Sequence, residues 1–309
     1  MISIQQMQYI LSVNDNRHYQ RASEACFVTQ PTLSMQIKKA EDELGYLIFD
    51  RSTNPLTLTV FGEKLIVIIR DILVEIEKIP KLIKTMNGTY TEHLRVGIIP
   101  TISAYLVSDM FDKWKISLPN IQLTIEEMKS DELLIALERK ELDLAIMAGP
   151  HNQTNLRTIP LFKEEIKAYL PTVLSETILT NELTELHPWL LSKGNCLRTQ
   201  MIHFCGLGND FNGGWNYEGG NLELLLRMVD VKGGYTLVPN EYLRVLKLDE
   251  SKCKRIYSTE SKEIPAREII SLFPNRTIKW DSIEKVIRGI QLNYGKDDSD
   301  KNLQVLNWQ

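Results

Sequence analysis

The chain has 309 residues, 43% hydrophobic and 25% charged, the balance of a soluble globular protein with length for about two domains. Thirty-six basic against forty acidic side chains give a net charge of −4, so no global basic excess points to nucleic acid and any such reading must come from pattern. Four cysteines (Cys26, Cys196, Cys205, Cys253) are too few for a secreted disulfide scaffold. The opening Met1-Ile2-Ser3-Ile4-Gln5-Gln6 lacks the basic-then-apolar order of an export signal, so the expectation is a reducing cytoplasm, free thiols and no membrane span.

The first sixty residues read as short helices and a wing. Met7, Ile10, Leu11 and Val13 are close to helical spacing within 6–14. A second short helix covers 19–26, with Ala22, Ala25 and Cys26 turned inward, and Phe27-Val28 makes the turn. Thr29 is a candidate N-cap, and Pro31 falls in the first turn of a third helix, where its missing N–H costs nothing. That helix carries Leu33, Ile37, Ala40 and Leu44 and stops at Gly45. Residues 47–51 and 56–59 form two short strands around a Ser-Thr-Asn-Pro tip.

Residues 61–87 form one long helix. Leu65, Ile69, Ile72, Ile76, Ile79, Ile83 and Met86 alternate spacings of 4 and 3, a heptad seam that argues for pairing with a second copy; the simpler reading is a helix lying on its own domain. Pro80 is expected to kink or break it, and Asn87-Gly88 to end it.

From His93 the pattern changes. Strands at 93–100, 121–128 and 142–147 alternate with helices at 102–117 and 131–140, an order that implies a parallel sheet with helices on both faces. A second set follows: a strand at 165–170, a helix near 222–229 and a strand at 235–239. Residues 267–273 read as a returning strand, 278–292 as a late helix, and the acidic tail from Gly295 as frayed.

Two constellations carry chemistry. In the first, residues 19–44 give a helix, a tight turn and a second helix presenting Gln30, Thr32, Ser34, Gln36 and Lys38, side chains able to donate and accept at base edges and phosphates. Up to position 88 ten basic side chains meet ten acidic ones, so spacing alone leaves a small helical bundle equally open. The residues themselves say more. The stretch Arg21 to Gly45 (Arg-Ala-Ser-Glu-Ala-Cys-Phe-Val-Thr-Gln-Pro-Thr-Leu-Ser-Met-Gln-Ile-Lys-Lys-Ala-Glu-Asp-Glu-Leu-Gly) closely resembles the N-terminal domain of LysR-type transcriptional regulators, and Phe49-Asp50-Arg51 and Thr57 to Gly62 match its wing and exit. Cys26 and Ala40 stand at the family's leucine-like positions and are expected to be buried.

The resemblance implies an α/β fold with an N-terminal winged helix–turn–helix at 1–60 and a dimerising linker helix at 61–88. A periplasmic-binding-protein-like effector domain of two α/β subdomains would occupy 89–309 (subdomain I at 89–162 and 268–309, subdomain II at 163–267). It implies double-stranded operator DNA as partner, met by Thr29, Gln30, Pro31, Thr32, Ser34, Gln36, Lys38, Arg51 and Thr53. It further implies a second copy paired through Leu65, Ile69, Ile72, Ile76, Ile79 and Ile83, assembly into a homotetramer, and RNA polymerase as a further partner.

The second constellation is Cys196-Leu-Arg-Thr-Gln-Met-Ile-His-Phe-Cys205. Metal sites prefer spacings of two to four and need more ligands. Nine helical residues make two and a half turns and rise about 13.5 Å, whereas a disulfide needs Cα atoms within roughly 7 Å. If the segment is helical when reduced, a bond between its ends requires it to unwind. For two arbitrary cysteines the plain reading is a pair of inert buried thiols.

Here the sequence resembles the OxyR branch of the LysR family, the hydrogen-peroxide sensors, whose Cys-Leu-Arg-x-Gln-x-x-x-Phe-Cys is matched at every fixed position. Gly97-Ile-Ile-Pro-Thr101 and Gly233-Gly-Tyr-Thr-Leu-Val-Pro239 agree with the same branch. The resemblance implies that Cys196 is the peroxidatic thiol and Cys205 the resolving one, with hydrogen peroxide as signal and oxidative-stress genes as target. A thiolate attacks peroxide to give a sulfenic acid, which condenses with the second thiol; the attack calls for a lowered thiol pKa and donors for the peroxide oxygens. The implied pocket holds Thr101, Ser130 (a threonine in the branch), Arg267, Arg198 and Asn195, the last standing where the best-known members have histidine.

The remaining features are bland. Cys26 reads as structural and Cys253 as a surface thiol, despite basic neighbours that would favour a thiolate. The five histidines show no ligand spacing, and neither a P-loop nor G-x-G-x-x-G occurs, so the expectation is no metal, no cofactor and no enzyme. The nearest alternative is a LysR-type regulator that binds a small metabolite between the effector subdomains; a solute receptor or thiol peroxidase is more distant.

Overall fold

A computed structural model describes every residue except 1, 54, 87–90, 152–154, 172–174, 208–218, 248, 259–262, 296–302 and 307–309. The chain divides into two units, Met1–Tyr90 and Thr91–Gln309.

In the first unit, α1 (Ile4–Asn16) is set by a reciprocal cap: the Gln6 amide donates to Ser3 Oγ and the Ser3 amide to Gln6 Oε1. α2 (Tyr19–Ala25) and α3 (Gln30–Leu44) are joined by a turn in which Phe27 adopts φ 55° and stands exposed. Thr29 caps α3, Pro31 sits in its first turn, and Gly45 closes it at φ 74°, as the sequence predicts. Ile10, Val13, Ala22, Leu33, Ile37 and Ala40 form the core of this unit. The inward reading of α2 changes: Ala25 is exposed and Cys26 only half-buried, while Ser23 is buried and donates to the Gln20 carbonyl at 2.8 Å. The helix ends one residue early, so Cys26 is its C-cap rather than part of its apolar face.

β1 (Phe49–Asp50) pairs antiparallel with β2 (Thr57–Leu58) to make the wing. α4 (Val60–Met86) runs on through Pro80, which removes one helical hydrogen bond and leaves the turns on either side continuous. Ile66 and Ile69 of α4 are buried in the unit's core, so the own-domain reading holds for its first half. Its second half turns Ile79, Ile83 and Met86 to solvent, 58, 56 and 80% exposed. The expected stop at Asn87-Gly88 lies outside the described residues.

The second unit opens with β3 (Glu92–Ile98), α5 (Pro100–Ser117), β4 (Ile121–Glu127), α6 (Ser130–Glu138) and β5 (Leu144–Ala148), and both β4 and β5 run parallel to β3. This is the predicted βαβαβ unit. There follow β6 (Leu156–Tyr169), β7 (Thr177–Leu179), α7 (Thr180–Leu183), α8 (Cys196–Phe204), α9 (Leu222–Lys232), β8 (Thr236–Pro239), α10 (Asn240–Leu246), β9 (Cys253–Tyr257), β10 (Ile264–Pro274), α11 (Trp280–Tyr294) and β11 (Leu303–Val305). The strands lie in the order β4-β3-β5-β10-β6-β9-β7, with β8 also on β6. β10 and β6 are long antiparallel partners, and β6 gives its last residues to β8 and β9, so this pair ties one set of strands to the other. The acidic tail is not wholly frayed: β11 pairs in parallel with β10 at Ile264–Ala266, ahead of the stretch that β5 occupies, and Leu306 is buried.

Candidate functional site

The parallel strands β3, β4 and β5 end at Ile98, Glu127 and Ala148, and α5 and α6 begin immediately beyond the first two. Ligands of open α/β sheets gather at this carboxyl edge because helix N-termini present unpaired amides there. Thr101 lies in the first turn of α5 and Ser130 is the first residue of α6. Cys196, the first residue of α8, joins them: its thiol is buried beside the Ser130 hydroxyl and the Ala148 backbone. The Ser130 hydroxyl is buried beside the Cys196 sulfur and has no N or O hydrogen-bond partner among the described residues.

Behind this group lies Arg267, on β10 and fully buried. Its Nη1 donates to Thr101 Oγ1 at 2.9 Å and its Nη2 to the Thr101 carbonyl at 3.2 Å. Its Nε pairs with Glu164, the residue opposite it on β6, and Tyr105 Oη donates to both Glu164 oxygens at 3.1 Å. Burial opposes the guanidinium charge, but Glu164 and the neighbouring Tyr105 and Cys196 more than restore it. Burial pushes the Cys196 thiol up; Arg267, Ser130 and the Ala148 and Leu197 amide surroundings pull it back only in part. At this sulfur removal from water outweighs the favourable contacts.

Asn195 is the N-cap residue of α8, yet its side chain turns away, its Nδ2 donating to the Ser192 carbonyl and hydroxyl at 2.9 and 3.0 Å. Arg198 is half-buried and its Nη1 donates to the Leu191 carbonyl at 2.9 Å, so it braces the segment leading into α8. Gln200 is buried, with Nε2 on the Leu306 carbonyl at 3.4 Å.

Cys205 is the C-cap of the same helix and is buried beside the Tyr235 hydroxyl; burial raises its thiol to about 11. Tyr235 is anchored on both sides: its amide donates to the His187 carbonyl at 2.9 Å and its carbonyl accepts from the Trp189 amide at 2.8 Å. Gly234 permits this approach, since at φ 82° a Cβ there would stand 2.3 Å from the His187 oxygen. A hollow of about 780 Å³ opens on this side, lined by Thr180, Gln200, His203, Cys205, Gln304 and Leu306 among others. All four cysteines are free thiols. The two in the motif cap opposite ends of an intact helix, about 13.5 Å of axial rise apart. Cys253 is half-buried and burial lifts it to about 11, against the help of its basic neighbours.

Residues 4–63 match the model of the bacterial regulatory helix-turn-helix protein of the lysR family, and residues 87–255 match the LysR substrate binding domain. The chain belongs to the LysR family, in its OxyR branch. A hydrogen peroxide-inducible genes activator of Pectobacterium carotovorum is 30% identical over 77% of this chain and 80% of its own length. The dual regulator OxyR of Escherichia coli K12 is 29% identical over 77 and 79%. Among solved structures, a full-length OxyR variant from Pseudomonas aeruginosa superposes with a TM-score of 0.61 at 27% identity, covering 94% of this chain and 98% of that one.

In LysR terms, α2 and α3 are the helix–turn–helix of this chain and β1–β2 its wing. Thr29, Pro31, Thr32 and Lys38 are exposed, but Gln30, Ser34 and Gln36 are half-buried rather than fully presented. The Thr29 and Thr32 hydroxyls lie 2.8 Å apart, and Gln36 is held by Gln6 Nε2 at 3.4 Å. Arg51 is tied down within its own unit. It donates to the buried Glu41 at 2.8 Å, whose other oxygen accepts from the Ile48 amide at 2.8 Å. Thr53 is exposed on the wing, bonded to Thr57 at 2.8 Å. On α4, Leu65, Ile72 and Ile76 are half-buried, Ile69 is fully buried within its own unit, and Ile79 and Ile83 are exposed. Among the described residues no cluster of His, Cys, Asp and Glu is close enough to hold a metal ion, and no helix is long and apolar enough to cross a membrane. Sequence reasoning missed Glu164, Tyr105 and the partnership of Tyr235 with Cys205. The Glu164–Arg267 pairing is a cross-strand register that a separation of 103 positions conceals.

Proposed function

We propose that this OxyR-like transcription regulator senses hydrogen peroxide through Cys196 and Cys205 and controls oxidative-stress genes from operator DNA. One observation carries the reading: Cys196 starts α8 at the carboxyl edge of the sheet, among Ser130, Thr101 and Arg267, while Cys205 caps the other end of the same helix. The Ser130 and Thr101 hydroxyls and the Arg267 charge supply donors for peroxide oxygens. The Cys196 thiolate attacks one oxygen, the O–O bond breaks, and hydroxide leaves to give a sulfenic acid; Cys205 then displaces water and the disulfide forms. The α8 geometry forbids that bond without unwinding, which makes the helix a two-state element. The names of the relatives support the peroxide signal.

The same reading takes the chain as a dimer through the exposed half of α4 and a tetramer through further contacts, acting in the cytoplasm with RNA polymerase. The domain limits 1–60, 61–88 and 89–309, with the effector subdomains meeting near 162 and 267, belong to it as well. Addition of one equivalent of peroxide should convert two of the four thiols to a disulfide and change the DNA footprint. A footprint response that survives in Cys196→Ser would overturn the reading and favour a metabolite-responsive regulator with inert cysteines.

A further inference from the structure

Arg267 is fully buried; its nitrogens bond Glu164 from β6 and the Thr101 hydroxyl and carbonyl from α5, and its charge also acts on the Cys196 thiol of α8. Only Glu164 offers an opposite charge in direct contact; burial pushes its carboxyl above the ordinary range, and Arg267 and Tyr105 pull it back in part. Glu164 is itself held by Tyr105, whose hydroxyl donates to both of its oxygens. The wider surroundings add Glu241 of α10, which acts on Glu164, and Tyr294 of α11, which acts on Tyr105. Within this fully buried cluster, one guanidinium serves two potential anions. We propose that Glu164 is a positioning residue that claims most of the Arg267 charge and so restrains the reactivity of the Cys196 thiol. This rests on the peroxide-sensing reading, and it adds to that reading a carboxylate that sets the sensor's threshold.

The logic is electrostatic competition. With Glu164 ionised, Arg267 is already neutralised, and forming a Cys196 thiolate puts a second anion beside one cation. Without that carboxylate, Arg267 stays charged because a guanidinium does not deprotonate in a protein. The thiolate then becomes its counter-ion, so the cation favours loss of the thiol proton. The Glu164 side chain touches neither the thiol nor a peroxide site; it acts through Arg267.

The test is the pH dependence of Cys196 alkylation by iodoacetamide in the full chain, read at Cys196 by mass spectrometry. In Glu164→Gln the alkylation midpoint should fall by about one pH unit, which is about ten times more thiolate at pH 7. The lower-pKa thiolate is also a weaker nucleophile, by a Brønsted slope of about 0.4–0.5, so oxidation by peroxide should accelerate about threefold. Glu164→Asp, which keeps the charge, should return the midpoint toward that of the native chain; a merely structural role would not separate these two variants. Glu164→Met, similar in volume and uncharged, must give the same fall and decides the matter if the glutamine variant does not fold. A midpoint unchanged or raised in the uncharged variants overturns the proposal. Because alkylation needs no peroxide, this outcome is independent of whether the native chain forms a disulfide.

Discussion

At Cys196 two opposing effects meet on one sulfur. Burial favours the neutral thiol, while Arg267, the Ser130 hydroxyl and nearby amides favour the thiolate, and burial wins. A thiol held above its ordinary range is mostly protonated at neutral pH, so only a minor thiolate fraction reacts. The peroxide oxidation rate of the reduced chain should then rise about tenfold per pH unit between pH 6 and 8; stopped-flow single turnovers give the profile, and a flat one would show a thiol already ionised. Cys205 yields a stability prediction. Its folded value of about 11 exceeds the ordinary 9.0, so its contribution is complete below pH 9 and is lost as pH rises toward 11. Two units correspond to about 2–3 kcal/mol. Urea unfolding at pH 8 and pH 10.5 should show about two thirds of that loss in the native chain and a smaller change in Cys205→Ala.

Helix α8 is the element on which the proposed switch would turn. Nine residues of hydrogen-bonded helix keep the two thiols apart, and its C-terminal end borders the hollow beside Cys205. Oxidation should therefore unwind it: amides 200–204 should lose hydrogen-exchange protection once the disulfide forms, whereas a helix that stays protected would rule out an intramolecular bond between these two cysteines. The two halves of α4 face different surroundings. Ile69 belongs to its own unit, but Ile79 and Ile83 leave apolar surface in water. Ile79→Glu with Ile83→Glu should shift the chain toward monomer in light scattering and lower operator affinity at least tenfold, with the melting of the first unit unchanged. What could be read in advance was local chemistry: the caps of α3, the long helix α4 and the cysteine spacing each follow from residues a few positions apart. The extent of β6 could not, because its fourteen residues take their order from β10, β8 and β9, all far along the chain. The tail strand β11 was hidden for the same reason, since an acidic composition says nothing of a free strand edge on β10.

Across the molecule, charge is unevenly spread. Ten basic and ten acidic residues balance up to position 88, so the whole −4 lies beyond it. DNA affinity therefore rests on a few local cations rather than a broad basic field. Structure narrows the set again: Arg51, which sequence resemblance offered for the wing, is paired with buried Glu41, while Arg21, Lys38 and Lys39 are exposed around the helix–turn–helix. If each supplies one phosphate contact, a dimer neutralises about six phosphates and its log affinity should fall with log salt at a slope of about −5. Lys38→Ala removes one contact per protomer and should flatten the slope by about 2. Operator titrations between 50 and 250 mM salt measure both numbers. A markedly steeper native slope would mean that cations beyond residue 88 reach the DNA, which a second unit carrying the whole net negative charge disfavours.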